Sequence, residues 1–330
     1  MTDLDPSWKH AVELDFWSYA DWTSRTIEER FLQSLLRLEL IPSRFGDEEP
    51  PGLEFVSSRP DSLWDLWSRG PDQLTIHGHR TFGFQAIIHL NPDKGDPPHS
   101  LHLAIHEKYF EDGNRVAKFL EVSEELYSLL GSVQGDIGHR QDREKKTVVE
   151  VPLKIGNRTV RATKYIPANP AIGLSGIYWA NFLGPPFVEF FSETKLESAP
   201  CYRKKRLIDG GYLLLTSKSP LDYAGAEARK FEQALFHYLG EESFLNSKYP
   251  ERIPKSPLAP RHENEVKVQK EPRNPNEPPG LEGTRSCPKC GELQRVSQVS
   301  SNQVNRLIGF HCQKCGTVWA VHTSLLSAHK

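Results

Sequence analysis

Between Thr26 and Pro42, Ile27, Phe31, Leu35 and Leu38 recur at helical spacing, joined by Leu32 and Leu36. The segment therefore reads as an amphipathic helix, with Thr26-x-x-Glu29 as a capping box at its start and Pro42 as its stop. In "PDSLWDLWSRG", Leu63, Leu66 and Trp67 mark a second, short helix ended by Gly70 and Pro71. The pattern then changes period. Phe82, Phe84, Ala86 and Ile88 alternate with other residues in "TFGFQAIIHL", and Leu101, Leu103 and Ile105 do so in "HSLHLAIHE". Such alternation predicts half-buried strands, and "NPDKGDPP" between them has the composition of a hairpin turn.

A helix over about 123–130 follows, then a second hairpin in "KTVVEVPLKIGNRTVRATKY" turning at Gly156-Asn157, and a late strand in "RLIDGGYLLLTS". The last helix, in "LDYAGAEARKFEQALFHYLG", carries Phe231, Leu235 and Leu239 on one stripe and ends at Gly240. Helices and strands are mixed without a regular βαβ rhythm. This predicts an α+β fold with an antiparallel sheet.

Composition breaks near Tyr249. From Pro250 to Gly280 the chain holds eight prolines, many charges and almost no large apolar residue, the composition of an extended linker. Three parts are expected: an α+β body over 1–249, a Pro-rich charged linker over 250–285 and a small tail over 286–330. Residues 1–250 carry 29 Lys+Arg against 36 Asp+Glu, and the tail from Cys287 carries 5 against 1. An acidic body tethered to a basic tail hints at partners of opposite charge. The apolar runs are far too short to cross a bilayer, and the N-terminus has early aspartates and no basic start before an apolar stretch. The expected location is the cytoplasm, where cysteines stay reduced and paired Cys-x-x-Cys favours metal over disulfide.

Four of the five cysteines stand in the tail, as Cys287-Pro-Lys-Cys290 and Cys312-Gln-Lys-Cys315. Two thiolates per tight turn, with Gly291 and Gly316 directly after the pairs, suit one tetrahedral ion. Four sulfurs leave no open position for water or substrate, so the expected ion is one structural Zn2+. His311 and His322 are alternative ligands that four cysteines make unnecessary. With short strands expected between and after the pairs, residues 285–325 resemble the zinc ribbon family. A fold of this size has too little core to stand without its ion. Many zinc ribbons bind nucleic acid, and Lys289, Arg295, Arg306 and Lys314, with Phe310 and Trp319 for stacking, are the residues available for it. Docking to protein is the equal alternative.

No phosphate loop, Gly-x-Ser-x-Gly or His-Glu-x-x-His occurs in the chain. The best candidate for chemistry in the body is histidine: His77, His79, His89, His99, His102 and His106, with His102 and His106 on the wet face of a strand. Asp136, His139 and Asp142 in "GDIGHRQD" read as a solvated loop cluster. Cys201 has basic neighbours in "SAPCYRKKR" but reads as a buried, inert thiol. The aromatic group Tyr178, Trp179, Phe182, Phe187, Phe190 and Phe191 reads mainly as core.

Phe16-Trp17 before the first long helix, "FGFQAIIHL", "EELYSLLGSVQGDIGHRQD", "GLSGIYWANFLGPPFVEFF" and "LIDGGYLLLTSKSPLDY" stand in an order that resembles the immunity protein 52 family of polymorphic toxin systems. Ser18 departs from that pattern, which has a glycine after the tryptophan. The resemblance, over about 15–240, implies a non-enzymatic module that neutralises a partner protein by stoichiometric binding, and a body of this charge suits a basic toxin. The zinc ribbon would then be an appendage. The alternative expectation is a nucleic-acid-associated factor whose ribbon contacts DNA or RNA, and a third is an enzyme centred on the strand histidines.

Overall fold

The computed structural model describes residues 6–56, 61–78, 82–90, 99–155, 158–165, 170–171, 173–245 and 254–258, and strand backbone at 285–286, 293–294, 297–302, 307–311 and 318–322. Two compact units are present, Met1–His262 and Glu263–Lys330. In chain order the first contains β1 (Ala11–Ser18), α1 (Arg25–Arg37), β2 (Arg44–Gly46), β3 (Leu53–Glu54), α2 (Asp61–Trp67), β4 (Leu74–Gly78), β5 (Phe84–His89), β6 (His99–His106), α3 (Gly113–Leu129) and β7 (Ser132–His139). It continues with α4 (Arg140–Thr147), β8 (Val148–Ile155), β9 (Arg158–Tyr165), β10 (Ala180–Leu183), α5 (Pro185–Phe191), α6 (Glu193–Glu197), β11 (Arg203–Arg206), β12 (Tyr212–Leu215) and α7 (Ala226–Leu239). The body is α+β. Ten of its strands form one sheet in the order β11-β12-β10-β7-β1-β6-β5-β4-β2-β3, every neighbouring pair antiparallel. β8 and β9 pair separately as a hairpin.

The centre of this sheet is β1, which pairs β6 on one side and β7 on the other. Val12, Leu14 and Phe16 alternate with Glu13 and Asp15, so β1 sends apolar groups to one face and carboxylates to the other. On the first face Phe16 lies opposite Leu101 and Gly135, and Gly135 lies opposite Phe182. The Phe16 and Phe182 rings meet edge to face at 5.1 Å. A Cβ at Gly135 would stand 2.1 Å from Phe16 Cδ1, so the bare backbone of β7 makes room for the ring. Phe31 and Leu35 of α1, and Phe119 and Leu126 of α3, belong to the same core. Each fully buried side chain of this size contributes about 1.5–3 kcal/mol.

Local signals explain the helix limits. The cap of α1 lies two residues ahead of the expected one: Ser24, not Thr26, accepts the N–H of Ile27 at 3.3 Å. It ends at Leu38 before a left-handed Glu39 (φ 60°). α3 is longer than the expected 123–130. Asp112 caps its start through the Asn114 N–H, and Val116, Phe119, Leu120 and Leu126 form one buried stripe. The positive φ of Gly240, 106°, ends α7 where expected.

The second face is divided. Under β10 and β12, Leu183, Tyr212 and Leu214 form a smaller core with Phe187, Leu196, Leu235 and Leu239. Tyr178, Trp179, Phe182, Phe187 and Phe191 are buried, whereas Phe190 of the same aromatic group is exposed. Under β1, β6 and β7 the second face is ionic. Pro254–Leu258, inside the stretch expected to be linker, folds back on this unit. The Lys255 N–H donates to the Glu242 carbonyl at 2.7 Å, and Leu258 packs on the smaller core.

In the second unit, β13 (Arg285–Ser286) pairs β14 (Leu293–Gln294), and β15 (Ser297–Asn302), β16 (Leu307–His311) and β17 (Val318–His322) form an antiparallel sheet. Cys287, Cys290, Cys312 and Cys315 lie outside the described residues. Their positions fall between the paired strands β13 and β14 and between the paired strands β16 and β17.

Candidate functional site

The strand histidines do not converge. His77, His89 and His102 lie on the second face of the sheet, and each ring is engaged: His77 Nε2 stands 3.3 Å from Glu49 Oε1, His89 Nδ1 meets the Asp72 carbonyl at 3.1 Å, and His102 Nδ1 meets Asp15 Oδ1 at 2.7 Å. His99 is turned to the other face, where its ring stacks on Trp22 at 5.5 Å. His106 ends β6 and accepts the Lys108 N–H. His79 lies outside the described residues. Among the described residues no group of three or more His, Cys, Asp or Glu is arranged to hold a metal ion.

The charged cluster of this face is built around a residue with no place in the sequence-based expectations, Arg143. α4 follows β7 without a loop, and Arg140 and Arg143, three residues apart, face the sheet. The Arg143 guanidinium sits 2.8 Å from Asp15 Oδ2, 2.5 Å from Asp136 Oδ1 and 3.4 Å from Glu13 Oε2. It donates to the Glu13 carbonyl at 2.9 Å and covers the Tyr178 ring at 4.6 Å. Arg140 adds a longer contact to Glu13, 3.5 Å. The Arg143 guanidinium also donates to the Asp136 backbone carbonyl at 3.3 Å.

Burial sets the electrostatics of this layer. It pushes the Asp136 carboxyl up to about 7, with Asp15 adding to the rise and Arg143 opposing it. Burial works to raise Asp15 as well, but Arg143 and His102 outweigh it and hold that carboxyl below its ordinary value. His102 rises above the usual imidazole value, because Asp15 overcomes the opposing effect of burial. The arrangement holds a helix on a sheet by sharing one guanidinium among three carboxylates.

Asp136, His139 and Asp142 are not a solvated loop. They lie on β7 and the first turn of α4, all about 2 % exposed or less, because the strand runs straight into the helix. His139 Nδ1 accepts the Gln141 N–H, and its Nε2 meets Glu107 at 2.9 Å. Its ring stacks on Tyr223 at 4.3 Å. Asp142 joins a closed ring of charges: it contacts Lys146 at 2.7 Å and Arg229 at 2.6 Å, and both cations also contact Glu232. This ring ties α4 to α7. Two of its members, Lys146 and Glu232, line a cleft of about 370 Å³ together with Lys145, Ile177, Phe236 and Phe244.

Beyond the ionic layer, toward β4 and β5, the second face opens. His77, Gln85, Ile87, His89 and His102 are half-buried on adjacent strands, with Ile87 opposite His102 and Gln85 opposite His77. Cys201, near the other end of the sheet, is half-buried. Burial pushes its thiol up against the pull of Lys204, so it is not an activated nucleophile. Ser18 donates to the Gly131 carbonyl at 2.9 Å and accepts the Ala20 N–H, which fixes the turn after β1 without a glycine.

No family model matches the chain, and no curated protein matches it. Among solved structures it is similar to a Pseudomonas aeruginosa T6SS protein, at 12% identity over 68% of this chain and 72% of that one, with a TM-score of 0.40. No helix among the described residues is long and apolar enough to cross a membrane.

Proposed function

We propose that the body is a non-enzymatic binding module that masks a basic partner protein by stoichiometric association, as its resemblance to immunity proteins implies. The observation that carries this reading is the open zone of the second face over β4, β5 and β6. There the strand ladder presents partly buried imidazoles, Gln85 and Ile87 on a chain portion in which carboxylates outnumber cations, 36 to 29 over residues 1–250. A sheet face of mixed apolar and polar character suits a protein surface, and the acidic excess of the body favours a basic one. The test is purification of the full chain from its native cytoplasm with and without nuclease treatment. A protein retained in both cases, and released by added salt, is expected. Material lost with nuclease would point instead to a nucleic-acid role for the tail.

The tail is proposed to hold one structural Zn2+ through Cys287, Cys290, Cys312 and Cys315. The pairing of β13 with β14 and of β16 with β17 supports it, since each Cys-x-x-Cys lies in the sequence between two strands that pair antiparallel. Metal analysis should find one zinc per chain. Cys287→Ser should unfold the tail and leave the body's thermal transition unchanged.

A further inference from the structure

The two ends of the ten-stranded sheet use their charges differently. At the β11 end Arg203–Arg206 is exposed and wholly basic. Its cations are largely engaged inside the molecule: Lys205 holds Glu124 at 2.5 Å, Arg206 holds Glu193 at 2.7 Å, and Lys204 donates to the Glu197 and Ala199 carbonyls. At the β3 end Asp47, Glu48 and Glu54 are exposed, and among the described residues none has an ion-pair partner. Arg44, across the strand pair from Glu54, is the residue of opposite sign among the described residues of this segment.

The same end exposes apolar groups. Leu53 is the cross-strand neighbour of Phe45, which is buried in the first-face core. Phe55 packs edge-on against Phe45 at 6.4 Å, yet Leu53 remains 53% exposed. Ile41 and Val56, at the start and end of the β2–β3 segment, are 40% and 41% exposed. Three of the eight large exposed hydrophobics among the described residues therefore lie on this one short segment. β3 is also the last strand of the sheet. The Phe55 N–H continues its pairing inward, to the Ser43 carbonyl at 2.8 Å, while among the described residues no strand pairs with the outward side of β3.

We propose that the β3 edge, from Leu53 to Val56, is the docking strand for a basic segment of a partner protein that adds to the sheet in the β conformation. Leu53 and Phe55 continue the apolar first face, whereas Glu54 points to the second face beside the acidic 47–49 turn. The incoming strand then alternates apolar side chains, which extend the core layer, with Lys or Arg, which meet Glu54, Glu48 and Asp47. A second copy of this chain is a poorer occupant, because the cations of its β11 are already engaged. The proposal rests on the reading of the body as a binding module for a basic protein, and it adds the edge used and the pattern of the segment recognised.

The test uses a labelled synthetic peptide of about eight residues alternating lysine with valine, a length that spans an ordinary strand, titrated with the full chain. Expected is saturable one-to-one binding, weakened about tenfold or more by Leu53→Asp, by Asp47→Lys with Glu48→Lys, and by N-methylation of alternate peptide nitrogens. Lys205→Glu at the far edge should leave it unchanged. On peptide binding the outward amides of Glu54 and Val56 should gain protection from hydrogen exchange, whereas Phe55, already bonded inward to Ser43, should change little; this readout needs no variant to fold. Binding insensitive to N-methylation, binding lost equally with Lys205→Glu, or no saturable binding would overturn the proposal. So would concentration-dependent self-association abolished by changes in Arg203–Arg206. A native protein partner that survives nuclease treatment and is also retained by Leu53→Asp would remove the edge assignment while leaving the masking role standing. Failure of the wild-type chain to retain any protein would remove the masking role itself.

Discussion

The two faces of the sheet are held by different physics. On the first, Val12, Leu14 and Phe16 join a continuous apolar layer with Leu101, Leu103, Phe182 and the helices α1 and α3. On the second, two residues of the same strand, Glu13 and Asp15, are covered by α4 through the guanidinium of Arg143. Apolar contact is non-directional and tolerates small shifts. A buried carboxylate layer does not: it is stable only while its cation stays in place, since desolvated charge has no cheap alternative partner. The first face therefore supplies stability, and the second fixes where α4 sits and, through Asp142 and Lys146, where α7 sits.

The largest expected effect is on the ionic side. Arg143→Met leaves Asp15, Asp136 and Glu13 without their shared cation, and a loss of about 3–5 kcal/mol is expected in urea unfolding. Adding Asp15→Asn and Asp136→Asn should restore most of it. If the single change were nearly silent, the layer would not be what holds α4. Next comes Gly135→Ala on the apolar side. The new Cβ meets the Phe16 ring and stands 2.9 Å from the Asp15 carbonyl, and a cost of about 1–3 kcal/mol is expected. Unchanged stability there would show that β7 can move away from β1.

A smaller effect is expected from pH. The raised pKa of Asp136 contributes stability that is fully present below the ordinary aspartate value and lost as pH rises through about 7. The raised pKa of His102 acts in the same direction, its contribution being lost as pH rises through its folded value. Asp15, held low, is lost only in acid, as pH falls below the ordinary aspartate range. The body should thus melt at a higher temperature near about pH 5.5 than near about pH 8. Asp136→Asn should flatten that slope, and a slope that Asp136→Asn leaves intact would place its source elsewhere. The smallest effect is expected for His102→Gln with His106→Gln, which should leave partner binding within about tenfold, roughly 1.4 kcal/mol. Loss of function with fold and binding intact would instead mark this face as a chemical centre.

Wherever one face of an element is buried and the other wet, its pattern was legible. The α1 stripe, the β5–β6 hairpin and the Gly240 stop of α7 all stand where the periodicity placed them, and the backbones of β8 and β9 pair as expected. β7 was not legible, because Gly135 and Gly138 occupy positions where a side chain would have revealed the alternation, and because "GDIGHRQD" has the composition of a loop. β1 carried a usable signal, Val12, Leu14 and Phe16 alternating with Glu13 and Asp15, masked by its position ahead of a long helix. The second-face cluster was the least visible part. Asp15, His102, Asp136 and Arg143 come from four separate elements, and no spacing rule joins them.

By itself, then, the sequence determined the α+β class, the periodic elements, the acidic excess of the body and the paired cysteines of the tail, because each depends on local period or on residue count. Only the tertiary structure decided that β1 is central, that Asp136, His139 and Asp142 are buried, that the strand histidines are dispersed and that β3 is an open edge. Those outcomes follow from which strands neighbour one another. Register between distant segments is set by the joint burial of many side chains, and no single stretch of chain encodes it.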